Sequence, residues 1–278
     1  MKLSDFLIQA TDKLKDAGIE SASLDTKLLA GHILRLDRAQ LLSQSQRLLS
    51  DAELSSLQGL IARRATHESV ARIIGKREFW GLDFGINDST LEPRPDSETV
   101  IEAVLAARRH AHRILDLGTG TGCLLLALLS EIGEATGLGI DINLRAVEQA
   151  VQNAMALNLH DRAAFQRSDW LGSVEGTFDI IVSNPPYIPA SHIEALMPEV
   201  VDHDPILALN GGEDGLAPYR HLIPQLAKFL NPGGLVAFEI GQGQSQQVMS
   251  FFKQSGFSGI QSHMDLGGIE RCITAYIS

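Results

Sequence analysis

Beyond residue 113 the sequence alternates short apolar runs of strand character with longer stretches of helical periodicity. This alternation is typical of a parallel β-sheet that is covered by helices on both faces. The sequence therefore predicts an α/β domain in this region. The strand-like runs lie at 114–117, 135–140, 163–166, 178–183, 235–240 and 271–277, and the helical stretches lie at 124–132, 144–157, 193–200 and 216–230.

The residues before this region have other patterns. Residues 1–72 show helical periodicity without strand alternation, which predicts a small all-helical domain. Residues 73–95 contain short apolar pieces interrupted by glycines and a turn signal, which predict a β-hairpin linker. A helix at 96–109 then begins the domain that spans 96–278.

Three apolar stripes and one capping pattern define the predicted helical domain. Ser50 and Glu53 have the spacing of a capping box at the start of the third helix. The stripes comprise Leu3, Phe6, Leu7, Ala10 and Leu14, then Leu24, Leu28, Leu29 and Ile33, and finally Leu54, Leu57, Leu60 and Ile61.

The charge balance and the cysteine content argue against several classes of protein. The chain has 23 basic and 34 acidic residues, a formal net charge of −11 that argues against a general nucleic-acid binder. Two cysteines, Cys123 and Cys272, are too few for a disulfide framework or a cysteine zinc site, and the histidines lack metal-ligand spacing. The N-terminus lacks a signal-peptide core, and the longest apolar run, 123–129, is too short to span a bilayer. We therefore expect a cytoplasmic protein with no metal, no membrane contact and no direct nucleic-acid partner.

A glycine-rich segment follows the first predicted strand of the sheet and precedes a helix. It consists of Gly118, Thr119, Gly120, Thr121 and Gly122, and Asp116 lies just before it. Glycine lets the backbone approach a ligand closely, but the spacing matches neither the dinucleotide fingerprint nor the P-loop. The preceding acid would repel a pyrophosphate and would favour a cationic amino group or a sulfonium. The segment is therefore predicted to bind a cofactor, with a simple turn as the alternative.

Two further acids lie at the ends of predicted strands. Asp141 has the position at which an acid accepts the ribose hydroxyls of a cofactor, and a helix cap is the alternative. Asp169 precedes Trp170, so the acid is placed to pair with an adenine amino group while the indole packs on the ring. The alternative interpretation is that Asp169 is part of a turn and that Trp170 is a partly buried residue without a ligand.

The segment Asn184-Pro185-Pro186-Tyr187 closes the predicted strand at 178–183. Two consecutive prolines fix the backbone and remove two donors, which leaves carbonyl acceptors facing one small space. Asn184 adds a side-chain carbonyl acceptor, and Tyr187 adds an aromatic face. The segment, Pro186 included, is therefore predicted to hold a planar NH2 group of a substrate, with Asn184, Pro185 and Tyr187 as the catalytic residues.

These motifs resemble those of class I S-adenosylmethionine-dependent methyltransferases that act on amino groups of planar systems. Within that group, the chain closely resembles the release factor glutamine methyltransferases. It runs nearly end to end and includes the segments 78–81, 93–98, 168–170 and 209–216. Two residues depart from the family pattern: Glu92 replaces a usually apolar residue, and Ser97 replaces the more common threonine. The role of Glu92 is left open by this comparison.

The resemblance implies a fold and a cofactor. The implied fold is a Rossmann-like, seven-stranded, mostly parallel sheet with an antiparallel last strand, preceded by a small helical domain and a hairpin linker. The implied cofactor is S-adenosyl-L-methionine, which leaves as S-adenosyl-L-homocysteine. Together with Asp169, the implied cofactor-binding residues are Gly118 to Gly122, Asp141, Trp170 and Asn184.

The resemblance also implies a substrate. It is the glutamine in the Gly-Gly-Gln loop of class 1 peptide chain release factors, which is methylated at its side-chain nitrogen (N5) to modulate translation termination. Residues 184–187 would hold the target amide, and residues 1–72 would dock the release factor.

Two alternative functions fit parts of the pattern. An adenine-N6 DNA methyltransferase would flip its target base into the same pocket, but it needs a basic groove, which the acidic charge disfavours. A non-catalytic binding module would use the helical domain to hold a partner, but the intact segments 116–122 and 184–187 disfavour loss of catalysis.

Overall fold

The N-terminal part of the chain is helical, as its periodicity predicts. The computed structural model describes residues 1–108 and 110–277 of the chain. The helices in the N-terminal part are Leu3–Asp16, Ala22–Leu34, Arg38–Ser43, Asp51–Arg64 and Val70–Ile74. The predicted capping box is confirmed, because the Ser50 hydroxyl accepts from the Glu53 amide while the Glu53 carboxylate accepts from the Ser50 amide. The helices Arg38–Ser43 and Val70–Ile74 were not predicted, since they are too short to show a periodic pattern.

One of the three predicted apolar stripes is partly wrong. The first helix buries the expected face, including Leu3, Phe6, Ala10 and Leu14. On the second helix Leu24 and Leu28 are 58% and 47% exposed, and Ala22, Leu29 and Ala30 make up the buried apolar face instead. The difference arises because a small residue such as alanine lets two helices approach closely, a choice that leucine spacing does not reveal.

A buried network of ion pairs holds the N-terminal helices together. Arg64, whose side chain is 4% exposed, donates from Nε to the Asp25 carboxylate at 2.7 Å and from Nη2 to Glu199 at 2.5 Å. The Ser21 hydroxyl donates to the same Asp25 oxygen at 2.7 Å. Glu199 is far from Arg64 in the sequence, but its segment, Met197–His203, belongs to the same compact unit as Met1–Gly75. This inserted segment contains the short helix Pro198–Val201.

The rest of the described chain, beginning at Lys76, forms the second unit. The predicted boundaries at 72/73 and 95/96 stay predictions. The helices of this unit are Glu98–Ala107, Cys123–Glu131, Leu144–Ala156, Ile206–Leu209, Ala217–Leu222 and Ser245–Gln254, and its 3-10 helices are Pro95–Ser97, Trp170–Ser173, Ala190–Ala195 and Ile223–Phe229.

Within the described residues the strands form a two-stranded and a seven-stranded sheet, as expected. The strands are β1 (Lys76–Phe79), β2 (Leu82–Gly85), β3 (Arg113–Leu117), β4 (Thr136–Asp141), β5 (Ala163–Arg167), β6 (Phe178–Ser183), β7 (Leu230–Glu239), β8 (Ser258–Met264) and β9 (Glu270–Tyr276). The pair β1–β2 is the antiparallel hairpin. The large sheet has the order β5-β4-β3-β6-β7-β9-β8, in which only the pairs made by β9 are antiparallel. The predicted α/β architecture is therefore confirmed.

Several predicted elements differ from the structure near prolines. The helix predicted at 216–230 is α-helical only over Ala217–Leu222, because Pro224 cannot donate to the helical ladder; a 3-10 helix follows, and β7 already begins at Leu230. The helix predicted at 193–200 is a 3-10 helix that ends at Ala195, followed by a helical turn that begins at Pro198. The helix predicted at 96–109 runs over Glu98–Ala107, and Arg109 lies outside the described residues.

The sequence also failed to predict β8 and the helix Ser245–Gln254. β8 is an edge strand that pairs only with β9 and buries none of its residues fully, so it has no apolar alternation. β6, by contrast, is buried along its whole length between two apolar layers, and its bounds were predicted correctly.

The strand order decides where a ligand site can form. The chain passes from β3 through β4 to β5 on one side, then returns to place β6 on the other side of β3. Ligands of open α/β sheets bind where the strand order reverses, outside the carboxyl ends of the strands. In this sheet that position lies beyond Leu117 of β3 and Ser183 of β6, which are paired in register.

None of the helices in the described part of the chain is long and apolar enough to cross a membrane.

The buried arginine network gives a prediction for stability. We expect Arg64→Met to lower the free energy of unfolding of the helical unit by about 3–5 kcal/mol, because it leaves Asp25 buried without its cation. The matched control is Arg63→Met, which removes a pair with Glu68 from a side chain that is 47% exposed and should cost at most about 1 kcal/mol. Urea unfolding followed by circular dichroism measures both, and equal losses in the two variants would contradict the role given to Arg64.

Candidate active site at the carboxyl edge of the sheet

A cavity of about 420 Å³ lies at the predicted edge of the sheet. Its volume is in the range of pockets for small molecules. The cavity wall includes most of the site residues that the sequence predicts. These are Gly118, Thr119, Gly120, Thr121, Asp141, Asp169, Trp170, Asn184 and Pro186. Gly122, Pro185 and Tyr187 are not part of its wall.

The glycine-rich loop has a backbone that other residues would not readily adopt. Gly118, Gly120 and Gly122 all have positive φ, at 72°, 54° and 80°. A Cβ on Gly120 would meet nothing within 4 Å, so this part of the loop leaves open space. A Cβ on Gly122 would lie 3.2–3.3 Å from side chains of the surrounding core. Gly120 therefore leaves room beside the loop, whereas Gly122 serves packing.

Asp116 is a buried acid in the wall of the cavity. It is 1% exposed, and its Oδ2 accepts from the Thr119 hydroxyl at 2.6 Å. Its Oδ1 has no hydrogen-bond partner among the described residues. Burial raises the pKa of Asp116 to about 7, the Thr119 hydrogen bond opposes this shift, and the nearby Asp141 adds to it. An unpaired buried acceptor of this kind fits a ligand that brings a donor, above all a cationic one.

Asp141 ties the end of β4 to the glycine loop. Its carboxylate accepts from the Gly120 amide at 3.0 Å and from the Asn143 amide at 2.9 Å. Burial raises the pKa of Asp141, and the hydrogen bonds from Asn143, Gly120 and Ile142 lower it. The cap of the following helix is Asn143, whose side chain accepts from the Arg145 amide, so Asp141 is not that cap. Its remaining acceptor capacity faces the cavity.

Trp170 lies against the glycine loop. A Cβ on Gly118 would meet its ring carbon Cζ3 at 3.5 Å, so glycine at this position gives the indole room. Ser168 holds the turn, because its hydroxyl donates to the Trp170 carbonyl at 2.7 Å and accepts from the Ser173 amide at 3.0 Å. Asp169 is exposed at the cavity wall, beside the half-buried Trp170.

Asn184 has a defined orientation at the end of β6. Its side-chain NH2 donates to the hydroxyl of Ser97 at 3.2 Å, and its Oδ1 accepts no hydrogen bond within the described residues. Ser97, which lines the cavity with Asn184, is 2% exposed. The geometry leaves the carbonyl oxygen of Asn184 available to an NH2 donor.

Two glycines allow the chain to pack directly on the Pro-Pro-Tyr backbone. A Cβ on Gly211 would lie 2.8 Å from the Pro186 carbonyl oxygen, and one on Gly215 would lie 2.3 Å from the Tyr187 carbonyl oxygen. Side chains at these positions would push the motif out of place. The Tyr187 carbonyl also accepts from Gln244 Nε2 at 2.9 Å. This close approach explains the glycines of the segment 209–216.

Tyr187 faces inward, and its hydroxyl donates to Glu239 Oε1 at 3.4 Å. Burial, together with the nearby Glu239 charge, raises the pKa of Tyr187. Sequence reasoning singled out neither Glu239 nor the Asn184 contact of Ser97. A signal for Glu239 does exist, because it is an acid within an otherwise apolar buried run at 235–240.

Glu92, whose role the sequence left open, forms an ion pair with Arg77 of β1 at 3.3 Å. Its side chain is 13% exposed and lines the cavity. An acid at this position therefore links the hairpin to the cavity wall.

In the described part of the chain, no cluster of three His, Cys, Asp or Glu side chains could hold a metal ion.

The chain matches two family models and many curated proteins. Residues 5–75 match the PrmC N-terminal domain, and residues 95–213 match the methyltransferase small domain. A release factor glutamine methyltransferase from Rhodospirillum rubrum is 49% identical, over 95% of this chain and 81% of that protein. A protein of the same name from Bradyrhizobium diazoefficiens is 46% identical, over 95% of this chain and 91% of that protein.

Solved structures show the same fold at low sequence identity. A methyltransferase from Pyrococcus furiosus has a TM-score of 0.55 and 20% identity, over 80% of this chain and 98% of that one. The catalytic domain of hMettl16, solved with an RNA hairpin, has a TM-score of 0.60 and 18% identity, over 79% of this chain and 82% of that one.

The raised pKa of Asp116 predicts a pH-dependent stability. An acid whose pKa is higher in the folded state stabilises the fold at low pH, and this contribution is lost as the pH rises through about 7. We expect Asp116→Asn, which keeps an acceptor for Thr119, to raise the melting temperature of the ligand-free protein at pH 8 by at least about 2 °C more than at pH 5. Thermal melts at both pH values measure this difference. An equal change at pH 5 and pH 8 would contradict the assignment.

Proposed function

Because the chain belongs to the family of release factor glutamine methyltransferases, we propose that it moves a methyl group from S-adenosylmethionine to the side-chain amide nitrogen of a glutamine. The glutamine is that of the Gly-Gly-Gln loop in class 1 peptide chain release factors, and its methylation modulates translation termination. One observation carries the proposal. The same cavity contains Asp116, with an unpaired carboxylate oxygen, and Asn184, with a free side-chain carbonyl. The first suits a cationic cofactor group, and the second suits the NH2 of an amide.

The residues of the cavity fit S-adenosylmethionine, which supplies an electrophilic methyl group on a positively charged sulfur. Asp116 would accept from its amino group through the oxygen that has no partner in the protein. Asp141 would accept the ribose hydroxyls, and the open backbone of residues 118–121 would lie beside the bound molecule. Trp170 would pack on the adenine ring while Asp169 accepts from the adenine amino group.

The target amide needs orientation more than it needs a base. Its nitrogen is a poor nucleophile, because the lone pair is delocalised into the carbonyl group. Asn184 Oδ1 and the Pro185 carbonyl would accept its two N–H protons, while Tyr187 and Pro186 confine the plane of the amide. The hydrogen bonds to these acceptors would strengthen as the nitrogen gains positive charge in the transition state. They would therefore lower the activation barrier, and no base would have to remove a proton before the methyl transfer. With the cofactor supplying the methyl group, the nitrogen would bond to the methyl carbon as the carbon–sulfur bond breaks, and a proton would leave to solvent.

The N-terminal helical unit is proposed to dock the release factor. The support is that the cavity-lining residues all lie at residue 89 or beyond, so the helices are free for recognition. A cytoplasmic location and the absence of direct nucleic-acid contact remain predictions from the sequence.

An acceptor assay tests the proposed reaction. The protein is incubated with S-adenosylmethionine labelled in its methyl group and with a class 1 release factor, with the same factor after Gln→Ala in its Gly-Gly-Gln loop, or with duplex DNA. We expect label only in the unaltered release factor. Label in DNA would indicate an adenine methyltransferase instead, and cofactor binding without any transfer would indicate a non-catalytic module.

Asp141→Ala should weaken binding of S-adenosylmethionine about 10- to 100-fold, because a charge-assisted hydrogen bond contributes about 1.5–3 kcal/mol. Isothermal titration calorimetry measures the dissociation constant. Asp161→Ala is the control, since that carboxylate is 92% exposed and lies outside the cavity wall. An unchanged dissociation constant for Asp141→Ala would remove Asp141 from the cofactor site.

Asn184→Ala should lower the rate of methyl transfer about 100- to 1000-fold, because it removes an acceptor that is aligned for the transition state. Cofactor affinity should fall less, since Asp116 and Asp141 are retained. Asn184→Asp keeps the acceptor and should retain partial activity. Single-turnover transfer at saturating cofactor and release factor gives the rates, and thermal melts control for folding. A well-folded Asn184→Ala protein with a normal rate would show that Pro185 and Tyr187 suffice.

A further inference from the structure

Asn153 is a buried side chain that holds two distant parts of the chain at once. It lies in the helix Leu144–Ala156 and is 3% exposed. Its Nδ2 donates to the Thr121 carbonyl at 2.8 Å and to the Gly85 carbonyl at 3.0 Å. Its Oδ1 accepts from the Gly85 amide at 2.8 Å and from Gln149 Nε2 at 3.3 Å. Both N–H protons and both lone pairs of this side-chain amide are therefore used inside the protein.

The contact with Thr121 fixes the tip of the glycine-rich loop. Residues 119–122 form a β-turn, in which the Gly122 amide donates to the Thr119 carbonyl at 2.7 Å. The Thr121 carbonyl and the Gly122 amide belong to one planar peptide group and point in opposite directions. Asn153 holds this peptide group on one side, and the Thr119 carbonyl holds it on the other. Because glycine can adopt more than one backbone conformation, these two contacts help to select the conformation of the turn.

The two halves of the loop are held from different directions. Near its start, the amides of Gly118 and Thr119 donate to the Ile140 carbonyl at 2.9 and 2.8 Å, which ties this half to β4. Asn153 holds the second half, at Thr121. Both halves line the cavity, so a shift of either one would change the shape of the proposed cofactor site.

The contact with Gly85 fixes the β1–β2 hairpin on the same helix. Gly85 ends β2, and both its amide and its carbonyl form hydrogen bonds with Asn153. A Cβ on Gly85 would lie 2.6 Å from Gln149 Nε2 and 3.0 Å from Asn153 Oδ1, so glycine allows this close approach. Beyond the hairpin the chain enters the cavity wall at Ser89 and Leu91. Asn153 therefore connects two segments of chain that contribute to one cavity.

We propose that Asn153 is a positioning residue for cofactor binding, which couples the hairpin to the glycine-rich loop. The loop then adopts its cofactor-binding conformation most readily while the hairpin is docked on the helix. Because coupling between two sites is reciprocal, bound S-adenosylmethionine also stabilises the docked hairpin. The inference rests on the proposed function for the identity of the cofactor. The hairpin, which the sequence predicts as a linker, thereby contributes to the cofactor site.

Isothermal titration calorimetry of the full-length protein with S-adenosylmethionine tests the role of Asn153. Asn153→Ala should raise the dissociation constant about 10-fold, because the Thr121 carbonyl loses its donor. The matched control is Asn231→Ala, which removes a side chain that donates to Asp179 at 2.9 Å and lies outside the cavity wall. Both variants should have lower melting temperatures, but Asn231→Ala should keep the dissociation constant of the unaltered protein. Unchanged binding by Asn153→Ala, or an equal loss in both variants, would overturn the proposal.

A second variant separates positioning from a general loss of structure. Asn153→Asp keeps an acceptor for the Gly85 amide but has no NH2 for the Thr121 carbonyl, so it should also raise the dissociation constant about 10-fold. With a release factor as the methyl acceptor, both Asn153 variants should raise KM for S-adenosylmethionine. At saturating cofactor kcat should be nearly unchanged, since residues 184–187 are intact. A fall in kcat as large as the rise in KM would overturn the proposal.

Hydrogen exchange tests the coupling in the unaltered protein, which needs no variant that could fail to fold. The ligand is S-adenosyl-L-homocysteine, so that no methyl transfer takes place. The amides of β1 and β2, which lie outside the cavity wall, should exchange more slowly in the complex, whereas those of β8 should change little. In Asn153→Ala at saturating ligand, the effect on the hairpin should disappear. An unaltered protein whose hairpin exchanges at the same rate with and without ligand, or slows no more than β8, would contradict the coupling.

The combined outcomes separate this inference from the proposed function. If the unaltered protein shows the binding and exchange effects but methylates no release factor, the role of Asn153 stands and the proposed reaction fails. If it methylates a release factor while Asn153→Ala binds the cofactor normally, the reaction stands and the role of Asn153 fails. No binding of S-adenosylmethionine by the unaltered protein would overturn both.

Discussion

Two buried carboxyl groups and one half-buried carboxyl group lie near the carboxyl ends of three strands of the large sheet, and the site is built around them. Asp116 lies in β3, Asp141 ends β4 and Glu239 ends β7. Burial raises the pKa of each, so each reduces the stability of the fold at neutral pH unless a partner compensates it. The protein supplies part of that compensation through hydroxyl and backbone donors. The acceptor capacity left over at Asp116 and Asp141 faces the cavity, where a ligand can satisfy it.

Close backbone approach is the second physical requirement of the site. The turn between β3 and the next helix needs positive φ at Gly118 and Gly120, and the Asp141 carboxylate holds this turn by accepting from the Gly120 amide. On the other side, the chain at Gly211 and Gly215 passes very close to the Pro-Pro-Tyr backbone. A Cβ at either position would collide with a carbonyl group of that backbone. The prolines fix the local dihedral angles, and the glycines let the surrounding chain hold them in place.

The N-terminal helices depend on a different interaction. Arg64 brings Asp25 and Glu199 together in a buried network, although Glu199 is separated from it by most of the second unit in the sequence. Arg64 and Asp25 stabilise the fold only as a pair, because removal of either would leave the other as a buried uncompensated charge. The segment Met197–His203 is therefore a structural part of the helical unit, and the same chain continues into Pro205 and Leu207 in the cavity wall.

The sequence by itself determined the α/β class, the limits of β6 and the motif residues, because these depend on local periodicity, glycine and proline. It also singled out Asp116 and Asp141, since an acid at or near the end of an apolar strand is a local pattern. Only the tertiary structure decided what depends on distant partners: the exposed edge strand β8, the short helices, and the Arg64–Glu199 pair. The same holds for the side chain of Asn184, because Ser97, which accepts a hydrogen bond from its NH2, is 87 residues away in the sequence and meets it only after the sheet has formed.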